Sequence, residues 1–153
     1  PASVLDLYPT FKALANIQSV DNTKRDGIDI SSYFFNPEVQ QEPRSYFYWH
    51  VGYIQAVRYG DWKLNLSSQF SEEQQQQIKK STYRIAEFSD QLELYNLRED
   101  PREENDVSSE HPEMVSKILE LAEREKKALG EFDAKGPEVR ETMVVDSPTA
   151  LIK

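Results

Sequence analysis

The chain has 153 residues, with 18 basic against 27 acidic side chains for a net charge of −9, and no cysteine. That balance excludes a general nucleic-acid binder, which needs clustered Lys and Arg, and the absence of thiols excludes a disulfide scaffold, a thiolate zinc site and a cysteine nucleophile. The two histidines, His50 and His111, are too few for a His-rich metal site, and no run of about 18 apolar residues is present, so no membrane partner is expected. The length fits one domain able to bury a real core. The chain opens on Pro1 without a signal-peptide pattern, as expected of a processed or cut polypeptide.

Val4, Leu7, Tyr8, Phe11, Leu14 and Ala15 recur at helical spacing and predict a helix over residues 7–16. Asp6 is its expected cap and Pro9 falls in its first turn. This helix is more apolar than a surface helix should be. Asp26-Gly27 predicts a turn, followed by Ile28, Ile30, Tyr33 and Phe34 as an apolar anchor, and Asn36-Pro37 and Pro43 keep the next stretch irregular. Eleven of the seventeen aromatics lie between Tyr33 and Phe70, which centres a β-rich core there. In the first strand, period two puts Tyr46, Tyr48 and His50 on one face and Phe47 and Trp49 on the other. Gly52 turns the chain into a second strand over 54–59. Gly60-Asp61 fits a type II′ hairpin turn into a third strand over 62–66, with Trp62, Leu64 and Leu66 toward the core.

Gln74, Gln75, Gln76 and Gln77 mark residues 67–81 as a polar, low-complexity excursion, either a mobile loop or a short exposed helix. Residues 82–88 and 92–97 read as further strands, and Asp100-Pro101 ends the second. Pro112 at a first helical position, Glu113 beside it, Lys126 and Lys127 at the far end and Gly130 as a stop predict a helix over Pro112–Leu129, with Ser109 or His111 as cap. Its apolar stripe is Val115, Ile118, Leu119, Ala122 and Leu129. Residues 133–153 read as an extended tail with a short strand at 143–145. The fold class is α+β: an antiparallel sheet of about four strands packed against the long C-terminal helix.

The residues alone offer little chemistry. Neither histidine accompanies a G-x-S-x-G elbow, and no catalytic residue can be named. His111 reads as a capping or surface residue. His50, at a strand end before a glycine turn, is either a rim residue or a substrate contact. Arg58 and Lys63 read as a solvated sheet face, with Arg58 able to reach an anion. The acidic run from Glu99 to Asp106 lacks the spacing of a calcium loop and reads as a solvated segment. No metal ligand is assigned.

Three groups of motifs in order add a resemblance. They are Asp6-Leu7-Tyr8-Pro9-Thr10 with Asp26-Gly27-Ile28-Asp29-Ile30; Ala56-Val57-Arg58-Tyr59-Gly60-Asp61-Trp62-Lys63-Leu64; and Glu93-Leu94-Tyr95-Asn96-Leu97-Arg98-Glu99-Asp100-Pro101-Arg102-Glu103 with His111-Pro112-Glu113. Over residues 3–132 the series resembles the C-terminal part of the type I sulfatases, of the arylsulfatase A kind; Asn96 stands where that family often has Asp. The resemblance implies an alkaline-phosphatase-like α/β catalytic domain upstream, its end in residues 1–30, an α+β subdomain over 31–132 and a tail over 133–153. It implies that the parent uses calcium and a formylglycine to hydrolyse sulfate esters, and that it is periplasmic or secreted. This chain carries neither a cysteine nor a C/S-x-P-x-R motif, so no cofactor is expected in it and the fragment is expected to be inactive alone. Its expected partner is the N-terminal catalytic domain, with self-association of the fragment as a further expectation. His50 is the first choice for a substrate-side contact and Arg58 the second. The alternatives are a stand-alone interaction or carbohydrate-binding module, and the C-terminal part of a phosphonate or phosphate monoester hydrolase.

Overall fold

The computed structural model describes residues 2–18, 26–36, 38–39, 42–81, 88–132 and 134–139. They form two compact units, Pro1–Arg44 and Ser45–Lys153.

In the first unit a 3₁₀ turn, Val4–Asp6, runs into helix α1, Leu7–Leu14, and a short helix α2 follows at Ser31–Phe35. Ser3, not Asp6, is the cap: its hydroxyl accepts from Leu5 N, and the Asp6 carboxylate reaches back to Ser3 N. Asp6 makes no capping bond to α1, because its carboxylate is engaged elsewhere. Asp6 Oδ1 accepts from Ile28 N at 2.9 Å, and Arg44 Nη1 bonds both oxygens at 3.0 and 2.9 Å. One turn on, Thr10 Oγ1 donates to Asp6 O at 2.6 Å and accepts from Ile30 N at 3.1 Å. Gly27 passes so close to Leu5 O that a Cβ there would stand 1.9 Å from it, so only glycine allows this approach. The two N-terminal motifs are thus halves of one hydrogen-bonded clasp. Of the expected apolar anchor, Ile30 is buried, whereas Ile28 and Phe34 are exposed: the clasp holds this segment through backbone amides.

The second unit is built on a four-stranded antiparallel sheet in the order β1 (Ser45–His50), β2 (Tyr53–Tyr59), β3 (Trp62–Asn65) and β4 (Glu93–Asn96). Phe47, Val57, Leu64 and Leu94 are paired across all four strands and therefore share one face. Helix α4, Pro112–Leu129, covers that face with Ile118 and Ala122 buried and Met114, Val115 and Leu119 packed around them. Leu129, expected in the stripe, lies exposed at the helix end. His111 holds the N-cap position without a capping side-chain bond and lies tilted against Trp62, with ring centroids 4.6 Å apart and planes at 59°. Gly130 ends the helix at φ 82° and ψ 177°, an extended positive-φ conformation that is essentially confined to glycine.

Gly60 has φ 61° and Asp61 is not in the left-handed region, which matches the type II′ turn. The glutamine-rich stretch is a helix, α3 (Glu72–Ser81), preceded by a 3₁₀ turn at Ser67–Gln69. It is anchored rather than free: Ile78 is 2% exposed and packs with Tyr53 and Phe70 in a second apolar cluster. Most of the expected strand over 82–88, the expected strand at 143–145 and most of the expected tail lie outside the described residues.

Candidate functional site

The β1–β2 hairpin carries both residues singled out in the sequence, at opposite ends. His50 pairs with Tyr53 beside the turn, and Arg58 pairs with Tyr46 at the other end. At about 3.4 Å per residue, the five steps from Tyr53 to Arg58 set the two positions roughly 17 Å apart. They do not form one site.

The tip is assembled from three parts of the chain. Val51 and Gly52 have φ 51° and 79°, so the loop is a type I′ turn. Val51 is a β-branched residue in a region that disfavours it, and it packs against the Tyr53 cluster. Gly52 O accepts from Phe132 N at 3.0 Å, and a Cβ on Gly52 would lie 2.9 Å from Phe132 Cα. The Phe132 ring stacks on Tyr53, 5.6 Å between centroids and 3° from parallel, and remains half exposed. Tyr53 OH donates to Gln77 Oε1 at 2.6 Å, tying the tip to α3. His50 shares the Tyr53 face of the sheet and is partly accessible there. The tip therefore presents an imidazole beside an ordered aromatic pair. Only His50 was legible beforehand; Phe132 and Gln77 gave no local signal.

Arg58 is spent on structure: its Nε donates to Gly60 O at 2.8 Å and braces the next turn. Lys63, its neighbour on the same face, pairs with both Glu103 oxygens at 2.7 and 2.6 Å. Beside Lys63, burial together with the charge and hydrogen bond of Glu93 pushes the Tyr95 hydroxyl up to about 12. The acidic run is occupied likewise. Asp100 Oδ2 accepts from Glu104 N and Asn105 N. Asp106 accepts from Leu94 N, Ser108 N and Ser108 Oγ; burial pushes its carboxyl up, but these bonds outweigh burial and hold it below the usual range.

Among the described residues no three His, Cys, Asp or Glu side chains gather to hold a metal ion. No reaction step is therefore routed through calcium or a formylglycine among the described residues.

The family model for the C-terminal region of aryl-sulfatase matches residues 41–146. Among solved structures, Ps i-CgsB aligns with a TM-score of 0.54 at 27% identity, covering 81% of this chain and 24% of that one, and the same holds for its complex with k-i-k-neocarrahexaose. A protein from work on glycosaminoglycan metabolism by Bacteroides thetaiotaomicron (BT33336S-sulf) aligns with a TM-score of 0.52 at 21% identity, covering 79% of this chain and 24% of that one, which shows a shared fold. The chain thus spans 24% of the length of these solved relatives. No curated protein matches it. With the family model covering most of the chain and the sheet and α4 in place, the chain belongs to the family of aryl-sulfatase C-terminal regions.

Proposed function

We propose that this chain is the C-terminal part of a sulfuric ester hydrolase, that it packs on the catalytic domain of its parent and helps shape the substrate cleft, and that it is inactive alone. The observation that carries the reading is the family match over residues 41–146. The nucleophile and the calcium of such a parent belong to the preceding polypeptide, since this chain has no cysteine and no C/S-x-P-x-R motif. His50 is assigned to the substrate side because it stands at an ordered hairpin tip next to a half-exposed aromatic ring. Arg58 ranks behind it because its Nε is already engaged by Gly60 O. The oligosaccharide bound by Ps i-CgsB supports a sulfated saccharide as the substrate class.

An aryl sulfate offered to the chain alone, with and without calcium, should not be turned over. The same chain joined to the preceding polypeptide should hydrolyse it. There, His50→Ala should raise KM several-fold with kcat little changed, as expected for a residue that binds ground and transition states alike. Metal-dependent hydrolysis by the chain alone, or none by the joined protein, would overturn the reading.

A further inference from the structure

Beyond α4 the chain folds back over the helix end. Gly130 N donates to Lys126 O at 2.7 Å, Gly136 N to Leu129 O at 2.9 Å and Glu138 N to Ala128 O at 2.9 Å. These bonds satisfy carbonyls that the last turn of a helix leaves open. Between the two glycines the backbone reaches the β1–β2 tip, where Phe132 N donates to Gly52 O and the Phe132 ring lies parallel to Tyr53. Phe132 is held there against its own preference. Its φ is 49°, and Val51, on the facing side of the junction, has φ 51°. Two bulky residues, one aromatic and one β-branched, thus meet in the left-handed region, and both are strained. Burial does not offset this at Phe132, which is 47% exposed. A glycine at position 132 could make the same bond to Gly52 O without strain. What it would lack is the ring, and with the ring the stack on Tyr53.

That stack bears on His50. Tyr53 pairs directly with His50 across the hairpin, which sets their Cβ atoms about 4.5–5.5 Å apart on one face. Tyr53 is fixed on three sides: by the Phe132 ring at 5.6 Å, the Phe70 ring at 5.9 Å and Gln77 Oε1 at 2.6 Å. The His50 imidazole makes no hydrogen bond or ion pair among the described residues. Its place is set by the tip on which it stands, and Phe132 ties that tip to the end of α4. We propose that Phe132 is a positioning residue for His50: by stacking on Tyr53 and bonding Gly52 O it holds the imidazole where a sulfate ester meets it. This rests on the substrate-side role given to His50 above. It extends that role to a residue eighty-two positions further along the chain, whose effect on binding passes through Tyr53.

The test is a double-variant cycle in the chain joined to the preceding polypeptide, with para-nitrophenyl sulfate as substrate. Phe132→Gly relieves the backbone, keeps the bond to Gly52 O and removes the ring. It should raise KM roughly three- to tenfold, the scale of one aromatic pair, with kcat little changed. Phe132→Tyr keeps the stack and should hold KM at the wild-type value. In a His50→Ala background Phe132→Gly should raise KM no further, because the group it positions is gone; a residue that only stabilised the fold would add its effect there too. In the 153-residue chain by itself, the His50 imidazole resonances should move in Phe132→Gly and not in Phe132→Tyr, while amide protection at Leu64 stays unchanged. If protection at Leu64 is lost, Phe132→Leu, which also lacks a ring, takes the place of Phe132→Gly in every arm. An unchanged KM, unmoved His50 resonances, or an equal rise with and without His50 overturns the inference and leaves the sulfatase reading standing. Hydrolysis indifferent to His50→Ala overturns the role of His50 and the inference with it. A joined wild type that hydrolyses nothing overturns the sulfatase reading itself, and the positioning role falls with it.

Discussion

Asp6→Asn replaces one buried oxygen of the clasp by an amide with almost no change of volume. The native carboxylate is fully buried and accepts four bonds, from Ser3 N, Ile28 N and twice from Arg44 Nη1. The single amide oxygen can keep Ile28 N, but its NH2 then faces the donors of Ser3 and Arg44. Hydrogen bonds to charged groups are worth about 1.5–3 kcal/mol each, and breaking a buried ion pair costs roughly 3–5 kcal/mol. Arg44 keeps 23% of its side chain in solvent, which lowers the figure to about 2–3 kcal/mol. At 1.4 kcal/mol per decade, amide exchange at Ile28 should accelerate roughly 30- to 150-fold. Leu94 N, in the other unit, should exchange unchanged. Unaltered exchange at Ile28, or equal acceleration at Leu94, would refute the clasp as an independent source of stability. The pH dependence has a definite sign. Burial pushes the Asp6 carboxyl up, but the bonds from Arg44, Ile28 and Ser3 and the Arg44 charge together hold it below its ordinary value. A lowered folded value means the contribution is fully present above the unfolded value of about 3.9 and is lost as pH falls through the folded one. Wild type and Asp6→Asn should therefore converge at Ile28 only in strong acid.

Ile78→Ala should destabilise the second unit by about 2–4 kcal/mol in denaturant melts, the cost of emptying a fully buried site, while Gln76→Ala, two residues away and exposed, should be near neutral; equal effects would mean α3 is not docked through Ile78. Val51→Asn should raise the melting temperature by about 2–4 °C, because Asn accepts the left-handed conformation that strains valine by roughly 1–3 kcal/mol, less the packing that valine contributes to the Tyr53 cluster. A fall in the melting temperature would show that packing outweighs strain there.

The sheet and α4 were legible because their signals are local. Gly60-Asp61 stands between alternating apolar residues, and Pro112 and Gly130 bracket one apolar stripe. The clasp was not, because its partners are 20, 22 and 38 residues apart and its members look like solvent-facing polar residues. The one available hint was polarity at i and i+4, Asp6 and Thr10, in a segment whose only other charged side chain up to Leu14 is Lys12. Helix α3 was one of two readings, loop or short exposed helix; four glutamines mask any period, and the single isoleucine that anchors it gave no signal.

The aromatic surroundings of His50 depend on a feature with no signature in the chain. Tyr48 pairs with Ala56 and Trp49 with Ile54, so Gln55 is an extra residue in β2, a β-bulge. Without it, Trp49 would oppose Gln55 and His50 would oppose Ile54. Period two would then drive Gln55 and Tyr53 into the face covered by α4 and turn Ile54 out, exchanging a fully buried isoleucine for a glutamine. The bulge resolves this: Gln55 O instead accepts from Leu66 N at 2.8 Å, Ile54 stays in the core at 0% exposure, and Tyr53 swings to the outer face. Only on that face can Tyr53 meet Phe70, Ile78 and Phe132, and only there does it lie beside His50. Alternation in β1 alone is enough to place His50 opposite Phe47 and Trp49, but the aromatic neighbours that make its position a candidate site are set by one inserted residue on the facing strand.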